Sequence, residues 1–298
     1  MAISVIINPG AGPAGRREPA ERLVAWTHAW MAARELDGTV DVIAGPGDAE
    51  RMARAAVARG ADVVVAWGGD GTVNGVASAL VGTGIPLGIV PVGSGNGLAR
   101  ELGVPTRREE ALTVAVSGPV RTIDAGELNG RLFFNVAGIG FDAHVAHVFA
   151  SQTGHTRGFW AYLSTILREI FRYAPSRYVV SSEDAAVARD GAALFISIAN
   201  TRQWGNGAQI APFAVVDDGR LDFVLIDARP PSVIIPSLLR LYNRTVAKIG
   251  GTVMSKVVAV TLTATPAAPL HLDGEPFEPA SEIHVRVRPA ALHVRVPR

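Results

Sequence analysis

The stretch VVVAWGGDGTVNGV, Val63 to Val76, drives an apolar run straight into Gly-Gly-Asp-Gly-Thr. Asp62 to Trp67 reads as a strand buried on both faces, the pattern of a parallel sheet rather than a half-solvated one. Thr72 to Val81 then returns apolar residues at helical spacing. A strand stopped by glycines and followed by a helix places the connecting loop beyond the carboxyl end of a sheet, where the free N–H groups of a helix N-terminus attract anions.

Outward from this stretch the same arrangement recurs. Ile3 to Ile7 is an apolar run halted by Asn8-Pro9-Gly10, and Glu18 to Leu36 carries Leu23, Trp26, Trp30 and Met31 at helical spacing. Val40 to Ile43 is a further short strand. After Gly45-Pro46-Gly47, Asp48 is placed to cap a helix whose Ala49, Met52, Ala53, Ala56 and Val57 share one face. Pro86 to Val90 runs into Pro91-Val92-Gly93-Ser94-Gly95-Asn96. Strands alternating with helices predict a parallel sheet covered on both faces. Its three glycine-bearing loops, NPGAG (Asn8 to Gly12), GGDGT (Gly68 to Thr72) and PVGSGNG (Pro91 to Gly97), make a phosphate-binding proposal together.

Glycine lets a backbone approach a pyrophosphate closely, and Thr72 and Ser94 add hydroxyl donors. A carboxylate among phosphates repels them. Asp70 is therefore expected either to hold a bridging divalent cation or to accept a hydrogen bond from a sugar or substrate hydroxyl, with Mg2+ and ATP as the economical pair. Neither G-x-x-x-x-G-K-[ST] nor a G-x-G-x-x-G after the first strand is present.

Around Val120 the pattern changes. Strand-like runs flank Asn129-Gly130, a strong hairpin signal, and further runs follow at Tyr178 to Ser182, Leu194 to Ala199, Leu221 to Ile226, Lys256 to Thr263 and Ile283 to Val287. The boundary is expected at Thr122 to Asp124. This gives a nucleotide-binding α/β domain over 1–123 and an antiparallel β-sandwich over 124–298, with the return of the last strand to the first domain left open. Gly158 to Tyr173 and Pro230 to Arg244 read as amphipathic segments that either pack on the sandwich or touch a bilayer. In the former, Phe159, Leu163, Ile166 and Ile170 share a face, with Arg168, Glu169 and Arg172 elsewhere.

Bulk composition agrees with two domains: 298 residues, 48% of them hydrophobic. A net charge of +1 gives no electrostatic footprint for nucleic acid. Lys248 and Lys256 are the only lysines, so a phosphate-handling lysine is nearly excluded. The absence of cysteine removes disulfides and thiolate chemistry and fits a reducing cytoplasm. MAISVIINPG reads as a strand and turn, not a signal peptide, and no uncharged apolar run approaches a membrane span. His144 and His147 lack the glutamate of a zinc protease motif, and Ser94 lacks the glycine two residues earlier that a nucleophile elbow needs.

At these residues the sequence resembles the diacylglycerol-kinase catalytic-domain family, which includes bacterial lipid kinases, sphingosine kinases and ceramide kinases. The resemblance is carried by INPGAG, GDA (Gly47 to Ala49), GGDGTVNGVASAL, PVGSGNGLAREL, FFNVAGIGFDA, ANTRQWGNGAQIAPFAVVDDGRLDFVLI and LDGE (Leu272 to Glu275), in order. It implies a nucleotide domain, a C-terminal β-sandwich and ATP in the cleft between them. It further implies that Asn8, Gly68, Gly69, Asp70, Gly71, Thr72, Asn74, Gly93, Ser94 and Asn96 contact the nucleotide. Asp273 is implied as general base, with Glu275 as its neighbour or as the base itself. Asp218 with the carbonyls of Val215 and Arg220 is implied as a structural Mg2+ site.

The chain departs from the family pattern in having Gly75 after Asn74 where many members carry Glu, and Gly97 after Asn96 where many carry Asp. The threonine often found before GDA is replaced around Ala44 to Pro46. The expected activity is ATP- and Mg2+-dependent phosphorylation of a lipid alcohol, diacylglycerol or a sphingoid-like lipid, by a cytoplasmic protein in peripheral contact with the membrane. Pairing as a homodimer is left open. The rival readings are NAD kinase, which shares GGDGT, and a nucleotide-binding regulator that has lost catalysis.

Overall fold

The first strand, β1 (Ala2–Ile7), is buried from its second residue on because it lies between two others in a parallel sheet. This computed structural model describes residues 1–12, 18–151, 159–184, 187–205 and 207–298, which form two compact units: Met1–Ile123 with Ala290–Arg298, and Asp124–Pro289. In the first unit β1 is followed by α1 (Ala20–Ala32), β2 (Asp37–Val42), α2 (Asp48–Ala58), β3 (Val63–Gly68), α3 (Asp70–Leu80), β4 (Leu87–Pro91), α4 (Gly97–Glu101) and α5 (Arg108–Ser117). Strand order is β2-β1-β3-β4, all parallel, and Val294 near the C-terminus pairs with Leu87 in parallel register beside β4.

All six residues of β3 and all five of β4 are buried. Helices cover both faces of such a sheet, so alternation with polar residues has no place in these strands. The ends of β1, β3 and β4 are held in line by backbone bonds: Asn8 donates to the Trp67 carbonyl (2.8 Å) and Val92 to that of Gly68 (3.0 Å). The three glycine loops consequently leave the sheet side by side.

The second unit contains the greater part of β5 (Val120–Leu128), then β6 (Arg131–Phe133), β7 (Val136–Gly140), α6 (Phe141–Ser151), α7 (Phe159–Glu169), β8 (Arg177–Ser182), β9 (Ala188–Ala199), β10 (Gln203–Gly205) and β11 (Ala208–Gln209). After these come β12 (Leu221–Asp227), α8 (Pro231–Ser237), β13 (Thr252–Val257), β14 (Ala259–Leu272) and β15 (Glu275–Arg295), whose last residues belong to the first unit. Its pairings are antiparallel: β13-β12-β9-β7-β14-β15, with β8 also bridging β9 and β14. Asn129 and Gly130 both take positive φ (46° and 81°) and turn β5 into β6 with Leu128 opposite Arg131, the geometry that Asn-Gly supplies at little cost.

Period-two alternation explains the continuous apolar runs of β9 and β12. Ile196, Ile198, Phe223 and Leu225 enter a core with Tyr178, Phe133 and Leu270. Phe195, Val224 and Ile226 face the other way, into a second cluster under α6, α7 and α8 with Phe141, Ile170 and Ile234; Leu194 joins them because a bulge in β9 there breaks the alternation. Two expectations are corrected. The run Lys256 to Thr263 is not one strand: the chain breaks at Val258, so that β13 pairs with β12 while β14 pairs with β8 and β15. Glu169, read as lying off the apolar face of its helix, is nonetheless buried (8% exposed), with His144 Nε2 at 3.0 Å and Arg172 Nη1 at 3.7 Å from its carboxylate. Gly158 of the same segment lies outside the described residues.

Leu292, 1% exposed, anchors the returning C-terminal segment in the first unit. Leu292→Ala is expected to cost about 2–5 kcal/mol, read as a lower urea midpoint with an unchanged m-value in equilibrium unfolding.

Candidate active site

Asp70 opens α3, and its carboxylate points at the third loop. Oδ2 accepts the Asn96 amide (2.8 Å) and Oδ1 the Gly97 amide (2.7 Å). Bonds from backbone N–H to a charged carboxylate contribute about 1.5–3 kcal/mol each, so this side chain fixes where α4 begins. Asn96 sits at φ 52° there and its own amide closes the turn on the Gly93 carbonyl (2.7 Å). Gly69 and Gly93 pass so close that a Cβ on Gly93 would stand 2.7 Å from the Gly69 Cα. The glycines of GGDGT and GSGNG are needed, first of all, for two loops to touch each other. Asn8 joins them: its Nδ2 donates to Thr72 Oγ1 (3.0 Å) and its Oδ1 accepts the Gly10 amide (3.0 Å).

The structure thus brings Asn8, Gly68, Gly69, Asp70, Gly71, Thr72, Gly93, Ser94 and Asn96 to one edge of the first unit. Ser94 is exposed there, while Thr72 is buried and already bonded. Asn74 lies one turn into α3, with Ser78 donating to its Oδ1 (3.4 Å). Gly75 has a packing reason: a Cβ would come within 3.0 Å of the Ala49 Cβ, where α3 crosses the start of α2. Asp48 is not the expected cap: Gly47 holds the N-cap position, and Asp48, the first helical residue, turns its carboxylate back to the amides of Ala44 and Gly45, which with Arg51 hold it below the usual range.

In the second unit, Asp273 and Glu275 occupy the tight turn between β14 and β15, with Leu272 opposite Glu275. They differ sharply. Asp273, at φ 50°, turns its carboxylate back onto the chain between β6 and β7: Oδ1 accepts Asn135 N (2.9 Å) and Val136 N (2.9 Å), and Oδ2 accepts Phe134 N (3.0 Å). Its own amide donates to the Val136 carbonyl (2.9 Å). Glu275 is exposed at the turn's far side. The sequence reading missed what supports this turn. Asn200 donates to the carbonyls of Asp124 (2.9 Å) and Phe134 (3.1 Å), and Thr201 bonds the Asn135 side chain, so the segment cradling Asp273 is itself tied down.

His271 supports it from below. Gly274 N–H donates to His271 Nδ1 (3.3 Å), which leaves the proton on Nε2 to face Asp142 Oδ2 (3.2 Å), both side chains being buried. The signals were present in LHLDGE and FDA, but nothing in either motif says they meet. His144 and His147 take ordinary partners, Glu169 (3.0 Å) and the Leu270 carbonyl (3.1 Å). Beside Asp142 an apolar pocket is lined by Tyr162, Ile166, Phe195, Trp204, Ile234 and Leu238. Burial pushes the phenol of nearby Tyr173 up to about 12.

The residues implied for a structural Mg2+ do not fit that ion. Asp218 Oδ1 accepts the Arg220 amide (3.1 Å), and Oδ2 lies 2.7 Å from Lys256 Nζ. A divalent cation on that carboxylate would face an ammonium at contact distance.

Comparison with known proteins bears on the family and the fold. Residues 2–128 match the diacylglycerol kinase catalytic domain, and 135–296 match the YegS C-terminal NAD kinase beta sandwich-like domain. A diacylglycerol kinase of Mycobacterium tuberculosis (strain ATCC 25618 / H37Rv) is 34% identical over 311 residues, spanning 99% of this chain and 95% of its own. The chain belongs to the diacylglycerol kinase catalytic-domain family. A family relative from Pseudomonas syringae pv. syringae (strain B728a), named "probable lipid kinase YegS-like", is 34% identical over 253 residues, 84% of this chain and 81% of its own. In fold, a diacylglycerol kinase structure from Bacillus anthracis str. Sterne superposes with a TM-score of 0.76 at 19% identity, covering 99% and 96% of the two chains. An ATP-bound NAD kinase from Archaeoglobus fulgidus gives 0.54 at 14% identity, covering 99% and 93%.

Asp70→Asn keeps one acceptor oxygen for two amides, and the amide left unpaired is expected to cost about 1–3 kcal/mol of stability. ATP affinity is expected to fall equally with and without Mg2+ in calorimetric titration. A fall seen only with Mg2+ would instead assign Asp70 to the metal.

Proposed function

We propose that this lipid kinase family member transfers the γ-phosphate of ATP to a hydroxyl of a membrane lipid such as diacylglycerol, with Glu275 as the proton acceptor. The observation that carries the reading is the division of labour in the LDGE turn. Three backbone donors occupy the Asp273 carboxylate, whereas Glu275 stands exposed on the turn that Asp273 immobilises. Asp273 is then a positioning residue. This exchanges the roles that the resemblance first suggests.

Phosphoryl transfer asks for positioning and for charge stabilisation more than for covalent chemistry. The loop amides at Gly71 and Gly95, with the Ser94 hydroxyl, are the proposed cradle for the triphosphate, none of the three glycine loops carrying a lysine. Glu275 takes the proton of the lipid hydroxyl as that oxygen bonds to the γ-phosphorus and the bond to the β-phosphate oxygen breaks, releasing ADP. Mg2+ accompanying the nucleotide supplies charge neutralisation at the phosphates.

No helix among the described residues is long and apolar enough to cross a membrane. The lipid is proposed to be met at the bilayer surface by the end of α7 and the segment after α8, where Phe171, Leu239 and Tyr242 are exposed. Arg168, Arg172 and Arg244 are exposed beside them in sequence. Apolar tips with basic neighbours suit an anionic interface.

Transfer of labelled γ-phosphate from ATP into lipid vesicles tests the reading, with NAD as a parallel acceptor. Glu275→Gln is expected to lower kcat by about 10²–10⁴-fold while ATP binding and thermal stability hold. Asp273→Asn is expected to lower both kcat and the melting temperature. Label in NAD alone would give the rival kinase, and full activity in Glu275→Gln would return the base to Asp273.

A further inference from the structure

Family resemblance puts a structural divalent cation on Asp218, yet this chain puts a lysine there. Lys256 is one of only two lysines in 298 residues. It lies on β13 directly opposite Asp222 of β12 in the antiparallel register. From that position its Nζ reaches Asp222 Oδ2 at 3.0 Å and Asp218 Oδ2 at 2.7 Å. Asp222 is buried at 7% exposure, so it is a carboxylate that needs a cation close by. We propose that the Lys256 ammonium is a built-in replacement for that divalent ion, and that the second unit of this protein folds and holds its 215–220 turn without a metal.

A structural cation at this turn has two tasks, to neutralise carboxylates and to pin the backbone that leads into β12. Lys256 contributes to the first, its single positive charge being shared between two aspartates. Protein groups perform the second. Asp218 Oδ1 accepts the Arg220 amide, Asp124 Oδ2 accepts the Gly219 amide (2.7 Å), and the Val216 carbonyl accepts the Asp124 amide (2.7 Å). Arg220 is tethered outside by Asp184 (3.3 Å). Residue type matters as well. An ammonium is a compact point charge with three rotatable donors, closer in shape to a small ion between two carboxylates than the flat guanidinium fork used nearly everywhere else in this chain. The register sets the position, since the residue facing Asp222 on β13 comes within reach of both oxygens.

The proposal concerns folding and metal content and holds whichever hydroxyl receives the phosphate. Its test is performed on the full chain without nucleotide, using MnCl2 as a spin probe for bound metal and MgCl2 against EDTA in thermal unfolding. Wild type is expected to bind no Mn2+ in the second unit and to melt at the same temperature in MgCl2 and EDTA. Lys256→Met is expected to acquire one Mn2+ site and a melting temperature raised by MgCl2, both abolished by adding Asp218→Asn. The proposal is overturned if wild type binds Mn2+ in a manner lost with Asp218→Asn, if EDTA lowers its melting temperature, or if Lys256→Met gains neither property.

Discussion

The bond from a backbone N–H to an aspartate oxygen holds together both halves of this protein's chemistry. Asp273 gathers the amides of Phe134, Asn135 and Val136, and Asp70 gathers those of Asn96 and Gly97. In each case a charged acceptor reaches far along the chain to fix a turn that belongs to no strand or helix. Turns have few buried apolar contacts to define them, so a charge-assisted bond of this kind decides their shape. Asp70 sets the start of α4, and Gly69 and Gly93 pass closely beside it.

Charge is arranged economically. With lysine almost absent, the anion binding proposed for the first unit would fall to backbone dipoles and a hydroxyl, which require tight turns and hence glycine. At the position after Asn74, α2 approaches closely: a Cβ on Gly75 would stand 3.0 Å from that of Ala49. The loss of a side chain near the phosphates is therefore tied to helix packing and does not by itself mark a protein without catalysis. The turn proposed to be catalytic keeps its exposed carboxylate, Glu275, while three backbone amides hold Asp273.

Much of this was legible beforehand. Continuous apolar runs ending in glycine gave the parallel sheet and its loops, because strands covered on both faces have no polar positions. Asn129-Gly130 gave the hairpin, because few other pairs tolerate two successive positive φ angles. Asp70 and Asp273 were recognisable as special, but their partners were not. Asn96 lies twenty-six positions from Asp70 and Phe134 one hundred and thirty-nine from Asp273, and separations of that kind leave no trace in local spacing.

The sequence by itself determined the two-part architecture, the family and the short list of residues able to do chemistry, since patterning and motif order are properties of the chain. The tertiary structure alone decided which carboxylates are occupied and which are exposed. Asp273 and Glu275 are equivalent on paper and opposite in space. Glu169 reads as a surface charge and is buried against His144, and Lys256 reads as an incidental lysine until the β12–β13 register sets it between Asp222 and Asp218. The physical reason is that a carboxylate's role is fixed by the donors around it, and folding, not sequence proximity, assembles those donors.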